Sequence, residues 1–376
     1  MKSVEIGLVP FHIGLRATPS NAPFPDELPF AAGLNAELGI LSQRPDVRIA
    51  EMLKSAYASG SQLNTPMDDY GIGKETCEDF IRFILSVLER RDLNGVRLLE
   101  IGCGTGYLLA RLKELGAKVL GVEPGTASSI HAENAGITVI HEPFEVAKVD
   151  GTFDLIVHTG VLEHVPDPLG FLQRQLSMLN KGGRIALAVP DCDAPIEHGD
   201  LSMFVHEHWS YLTQSSLATL IDAVGGRAIS IRKAGIGGAL YAMMEGTAIG
   251  RTKRNEGGSV QFNSFAERAS RGKDALAEFF AARQSRSIGI YCPARFLNYW
   301  RHVGCPRPRF FDDDPRFHDR YYPPIPVAVE SRGSLLEKPV DSLLIMSRTF
   351  GPALAESLGS DPRLARREIV TIAELF

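Results

Sequence analysis

The chain has 376 residues, too many for one ordinary core, and its 44% hydrophobic and 23% charged fractions are those of a globular protein in water. A mild net charge of −5 implies no surface built to bind a polyanion and disfavours a nucleic-acid substrate. No apolar stretch reaches membrane-spanning length and the first twenty residues lack the apolar core of a secretory signal, so a cytoplasmic location is expected.

Residues 1–72 are rich in Pro, Gly, Asn and Ser, with only a weak strand signal in "AELGILSQ". They predict a small, loop-rich N-terminal module. From Lys74 to Arg90 the apolar residues Phe80, Ile81, Ile84, Leu85 and Leu88 recur at helical spacing. An alternation then begins. "RLLEI" reads as a strand, "GYLLARLKELG" as a helix stopped by Gly116, and "AKVLGVE" as the next strand. "TASSIHAENAG" reads as a helix with Thr126 as N-cap, and "ITVI" as a third strand. "FDLIVHT", the helix "PLGFLQRQLSMLN" and "RIALAVP" complete a doubly wound, mostly parallel α/β sheet. "AISIRKAGIGGALYAMMEG" predicts two strands joined by a tight glycine turn, an antiparallel hairpin at the sheet's end.

Residues 251–285 predict a connecting helix. From residue 286 to 376 the alternation restarts with "SIGIYC", "ARFLNYW", "RPRFFDD", "DSLLIMS", "PALAESL" and "EIVTI", a second and smaller Rossmann-like α/β domain. The five cysteines, Cys77, Cys103, Cys192, Cys292 and Cys305, include no C-x-x-C pair. That argues against a structural zinc site and for reduced thiols.

The most informative stretch is "LLEIGCGTG". A strand followed by glycines and a helix places backbone N–H groups and a positive helix end at one spot, where a nucleotide-like cofactor lies close to the main chain. Gly102, Gly104 and Gly106 alternate here, and position 107 is Tyr where a dinucleotide fingerprint has a third spaced Gly. Glu100 precedes the glycines, and an acid there suits a cationic ligand end better than a pyrophosphate. Glu123 ends the next strand and can accept both ribose hydroxyls.

"LLEIGCGTGYLL" with "GVEPG", "FDLIVHTGVLEHVPDP" and "LNKGGRIALAVP" resembles the motifs of class I S-adenosylmethionine-dependent methyltransferases over roughly residues 73 to 250. The resemblance implies S-adenosylmethionine as cofactor. It implies that Glu100 and the backbone of Gly102, Gly104 and Gly106 face its methionine part. It implies ribose binding by Glu123 with Pro124 nearby, and Phe144 beside the adenine. Thr159, Gly160 and Val161 would line the pocket after the fourth strand, with His164 holding that loop.

The segment "FVHEHWSYLTQSSL" follows the fifth strand and gathers His206, Glu207, His208, Trp209 and Tyr211. Two histidines at i, i+2 without a third evident ligand are a weak metal signal, so no metal is expected. A general base supported by a neighbouring acid is the more economical reading. Together with "GGAL" at 237–240, "GIYCPARFLNYW" and "FFDDDP", this segment resembles the sugar C-methyltransferases, which act on nucleotide-linked keto-deoxysugars. The resemblance implies His208 as catalytic base, Glu207 and Tyr211 as assistants, and a nucleotide-sugar acceptor. Family members carry a cysteine-ligated zinc module at the N-terminus; here "ELPFAAGLNAELGILSQRPDVRIAEMLKSAYASGSQLNTP" keeps its outline without the cysteines. Tyr57 stands where the family places an active-site tyrosine, whereas Val205 replaces a polar or aromatic residue. These departures keep open N- or O-methylation of an amino sugar or another natural-product intermediate, and a non-catalytic binding protein. Arg295 and Arg301 are candidates to meet a phosphate, and "FFDDDP" reads as a solvated strand-end turn.

Overall fold

The computed structural model describes residues 3–11, 15–18, 25–58, 67–125, 129–247, 258–304 and 308–376, without the side chains of 57–58 and 258–263. These residues form two compact units. The first comprises residues 33–193 and 207–259, and the second residues 3–32, 194–206 and 260–376.

In chain order the strands are β1 (Ser3–Pro10), β2 (Glu27–Asn35), β3 (Ile40–Gln43), β4 (Arg97–Ile101), β5 (Lys118–Val122), β6 (Val139–Ile140), β7 (Phe153–Thr159), β8 (Leu179–Pro190), β9 (Ser210–Tyr211), β10 (Gly226–Lys233), β11 (Ala239–Gly246), β12 (Ile288–Tyr291), β13 (Arg309–Phe311), β14 (Val329–Glu330), β15 (Ser342–Ile345) and β16 (Glu368–Thr371).

The first unit is built on a seven-stranded sheet of order β10-β11-β8-β7-β4-β5-β6. β4 pairs in parallel with β5 and β7, β5 with β6, and β7 with β8. β11 runs antiparallel to both β8 and β10. The central strands are covered on both faces, which is why "LLEI" and "LIVH" read as continuous runs rather than alternations. Chain order reverses between β4 and β7, so the loops leaving their C-terminal ends part and open a crevice. The helix Gly71–Leu88 buries Phe80, Ile81, Phe83 and Ile84 and stops where Glu89 turns left-handed. The helix Gln214–Ala223 begins at a reciprocal capping box between Thr213 and Ser216. β3 pairs antiparallel with the two-residue β9, with Leu41 opposite Tyr211 and Ser42 opposite Ser210.

The second unit centres on an all-parallel sheet of order β14-β13-β12-β15-β16. Its strand order also reverses, between β12 and β15. Buried Asp200 ties this unit together by accepting from the Tyr299 hydroxyl at 2.9 Å and from Arg348 Nε at 2.9 Å.

The N-terminal segment is less irregular than its composition implies. It holds β1, β2, β3 and a helix, Val47–Ala58. β1 has no clean alternation of buried and exposed positions, which hid it. "ARFLNYW" is not one helix: a 3-10 turn over Pro293–Phe296 precedes a short helix, Trp300–Val303, because Cys292 enters the turn with φ +59°. The helix expected over "TASSIHAENAG" shortens to Ile130–Asn134, and its expected cap Thr126 lies outside the described residues. Cys77, Cys103 and Cys192 are buried free thiols and Cys292 is half-buried, while Cys305 lies outside the described residues.

Candidate active site

The glycine loop sits at the C-terminal end of β4, beside the crevice. Gly102, Gly104 and Gly106 have φ of +68°, +49° and +76°, a region that strains any residue with a Cβ. Each glycine has its own reason. A Cβ on Gly102 would meet Val161 Cγ2 at 2.5 Å, and one on Gly106 would meet Ala132 Cβ at 2.5 Å and its backbone N at 2.6 Å. A Cβ on Gly104 would meet nothing within 4 Å. The outer two glycines therefore permit packing, while the middle one borders open space.

Two carboxyls frame this loop. Glu123 accepts from Gly104 N–H and Gly125 N–H, both at 2.9 Å, so it is held against the loop at the end of β5. Glu100 is 2% exposed and its Oε2 has no partner among the described residues. Burial, and then the charge of Glu123, push the Glu100 carboxyl well above its ordinary range. An orphaned buried carboxyl beside open glycine backbone fits a ligand that brings a positive charge and hydrogen-bond donors. These residues fit S-adenosylmethionine, whose methionine end carries both.

Val161 packs on Gly102, which brings the loop after β7 against the glycine loop. Thr159 Oγ1 lies 3.9 Å from Met67 Sδ, and Gly160 N–H donates to Ala188 O. Thr105 Oγ1 donates to Met67 O at 3.1 Å, and Asp68 pairs with His131 Nε2 at 2.8 Å. The stretch from Met67 to Asp68 is thus strapped across the glycine loop, a feature without a motif in sequence. Pro124 is exposed. Phe144 is the aromatic expected beside the adenine. It is a core residue, edge-on to Phe171 with Arg174 above its ring at 4.7 Å. The turn in which Val146 and Ala147 N–H groups donate to Pro143 O folds it inward.

His208 follows a turn after β8 and precedes β9. Its ring meets that of His164 edge-on, with centroids 4.7 Å apart, and lies 6.1 Å from that of Tyr211. Tyr211 is fully buried opposite Leu41. The Trp209 N–H donates to Glu163 O at 2.7 Å, which fastens the His208 segment to the loop after β7. Ligating atoms of Glu163, His164 and His208 all lie within 4.8 Å of one another, so these three could hold a metal ion. Asp68, Asp69 and His131 form a second, more exposed group of that kind.

Burial dominates the electrostatics here. Glu163 is 2% exposed and its carboxyl is pushed up to about 8; Glu207 is 3% exposed and pushed up to about 9. Burial also holds the His164 imidazole down at about 4, while its hydrogen bond to the Glu207 backbone acts the other way. At neutral pH both carboxyls are uncharged and the His164 imidazole is neutral. Glu163 has no role in the sequence reading, and its place one residue before His164 is its only signal there. His206 is not part of this group: it belongs to the second unit, bonded to Leu28 O between the rings of Phe11 and Phe30. Arg301 is paired with Glu27 and Arg295 is exposed. The side chain of Tyr57 lies outside the described residues.

Comparison with known proteins agrees with this geometry. Residues 72–231 match the family model described as a methyltransferase domain. The ubiquinone biosynthesis O-methyltransferase of Nitrobacter winogradskyi is 41% identical over 100 residues, 25% of this chain and 38% of that protein. That of Rhizobium etli is 35% identical over 124 residues, 31% of this chain and 49% of that protein. The chain thus spans less than half the length of these curated relatives. Among solved structures, a Burkholderia thailandensis 1,6-didemethyltoxoflavin N1-methyltransferase with bound S-adenosylhomocysteine is 18% identical, with a TM-score of 0.42 over 55% of this chain and 96% of that one.

Proposed function

We propose that this chain, built around a class I S-adenosylmethionine-dependent methyltransferase domain, methylates a carbon next to a ketone in a nucleotide-linked deoxysugar. What supports the reading is the buried, uncharged Glu163 carboxyl gathered with His164 and His208, together with a second buried, uncharged carboxyl, Glu207, next to His208 in the chain. A hydroxyl acceptor needs only a base. A carbon acceptor also needs its enolate oxygen stabilised, and a carboxylic acid kept neutral at pH 7 can donate that hydrogen bond.

Glu100, Glu123 and the backbone of Gly102, Gly104 and Gly106 hold the cofactor, with Thr159, Gly160 and Val161 closing the same side. When bound, S-adenosylmethionine supplies a methyl group on a sulfonium. His208 takes the proton from the carbon next to the ketone, Glu207 donates to the enolate oxygen, and Tyr211 packs the imidazole in place. His164 keeps the loop after β7 in register through the Glu207 backbone.

The test uses nucleotide-linked 4-keto-deoxysugars deuterated next to the ketone, incubated with S-adenosylmethionine. The expected product is one methyl heavier and has lost a deuterium. His208→Ala should abolish turnover and still bind S-adenosylhomocysteine. A methylated product that keeps all its deuterium would support the second reading, O- or N-methylation. That reading draws on the curated relatives, ubiquinone biosynthesis O-methyltransferases that match 25% and 31% of this chain.

A further inference from the structure

Gln43 closes β3. It is 4% exposed, and neither its Nε2 nor its Oε1 has a hydrogen-bond partner among the described residues. Amides are rarely buried in that condition, because each unmet group forfeits the hydrogen bond it made to water. A ligand that brings both a donor and an acceptor would restore them.

The backbone sets this amide on the acceptor side. Gln43 N–H donates to Trp209 O at 3.0 Å, and Trp209 N–H donates to Glu163 O at 2.7 Å. β3, the His208 segment and the loop after β7 are thus neighbouring rungs of one hydrogen-bond ladder. Leu41 lies opposite Tyr211, and two residues on, Gln43 returns to the strand face that those two share. Ile40 on the other face, and Leu212 after Tyr211, join the hydrophobic core with Leu99 and Ile156 of the central sheet. Gln43 therefore faces away from that core, on the face where the Tyr211 ring comes within 6.1 Å of the His208 ring. Glu163 Oε2, one rung away, and Glu207 Oε1, two residues before Trp209, are also buried without partners among the described residues. Burial keeps both carboxyls uncharged at neutral pH. A neutral amide and neutral carboxyls each donate and accept. They match hydroxyl and carbonyl groups and offer no positive charge to a phosphate.

We propose that Gln43 is an acceptor-binding residue whose amide bonds the hydroxyls of the sugar ring presented to His208, with the phosphates of the nucleotide lying elsewhere. The proposal rests on the reading of the acceptor as a nucleotide-linked sugar. It makes β3, in the N-terminal segment, part of what selects the acceptor. A buried amide rejects an acceptor that lacks the matching hydroxyl, because the amide then stays unmet.

Gln43→Met tests this, since it keeps the length of the side chain and removes both polar atoms. Deleting unmet groups takes nothing from the ligand-free protein, so its melting temperature should hold or rise. The Kd for S-adenosylhomocysteine should not change. The acceptors are nucleotide-linked 4-keto-6-deoxysugars, their 4-hydroxy and 4-amino counterparts, and analogues of each lacking one ring hydroxyl. Release of S-adenosylhomocysteine is the readout, whichever atom is methylated. For the acceptor that the wild type turns over best, Gln43→Met should raise KM at least about tenfold and change kcat less than about threefold. The wild type should reject one of the deoxy analogues by about a hundredfold or more in kcat/KM, and Gln43→Met by only a few-fold. Loss of folding or a lower melting temperature in Gln43→Met overturns the proposal, because the amide then has a structural partner. So does an unchanged KM with unchanged discrimination. Retention of deuterium in the product fails only the assignment of the methylated atom, and turnover of none of these acceptors fails both readings.

Discussion

Gly104 and Gly106 are two positions apart and are required for different reasons. In both, the left-handed backbone costs an alanine about 1 kcal/mol. Gly104→Ala meets nothing within 4 Å, so its melting temperature should drop only slightly. Its new methyl would occupy the space proposed for the cofactor, and the Kd for S-adenosylhomocysteine should rise at least about tenfold, ~1.4 kcal/mol. Gly106→Ala drives a methyl into the Ala132 backbone and should cost a further ~1–3 kcal/mol of stability. Calorimetry with and without ligand separates the two: a Gly104→Ala protein that binds normally would remove the open backbone from the site. Glu100 makes a prediction about pH. Its folded carboxyl stays protonated well above 4.5, whereas in the unfolded chain it ionises near 4.5. The unfolded state therefore releases a proton first, and stability is lost as pH rises above that value. Glu100→Gln cannot ionise. Its urea midpoint should gain on the wild type between pH 4.5 and 8 in cofactor-free protein, and parallel curves would contradict the buried, protonated state.

Elements explain what single residues cannot. The strap over the glycine loop is held by Thr105, by Thr159 and by the Asp68–His131 pair. The last of these is part-exposed and worth up to about 1 kcal/mol. His131→Ala should therefore leave the fold intact, speed amide exchange at residues 67–70 by several-fold, and weaken S-adenosylhomocysteine by a similar factor. Unchanged exchange would mean that Asp68 and His131 do not hold the strap. Among the strands, β4, β7, β8 and β11 were legible because burial on both faces leaves an apolar run bounded by glycines or helix signals, and β10 because a glycine turn joins it to β11. β1 and β9 were not. β1 mixes exposed and buried positions irregularly, and β9 is two residues whose only reason to be a strand is a partner far away in sequence. The candidate site divides in the same way. The glycines, Glu100, Glu123 and His208 could be named from local pattern. Glu163 required the loop after β7 to be brought against the segment after β8, and the burial of Phe144 follows from a turn that spacing does not show.

At the scale of the molecule, the chain repeats one solution twice. Both units contain a parallel sheet whose strand order reverses at its centre, and only the first carries the glycine loop there. Composition announced both sheets, and could not announce that residues 3–32 and 194–206 group with the C-terminal residues, because long-range association leaves no periodic mark. The pairing of β3 with β9 reaches into the history of each molecule. About 170 residues separate Leu41 from Tyr211, so β3 leaves the ribosome long before its partner exists. At roughly 5–20 residues per second it waits on the order of ten to thirty seconds. The strand that seats Tyr211 beside His208 is therefore formed late, after the five parallel strands β4 to β8 have been made and before β10 and β11 complete their sheet. A nascent chain halted before residue 210 would be expected to hold the glycine loop on its parallel strands while the proposed base, His208, had yet to be put in place.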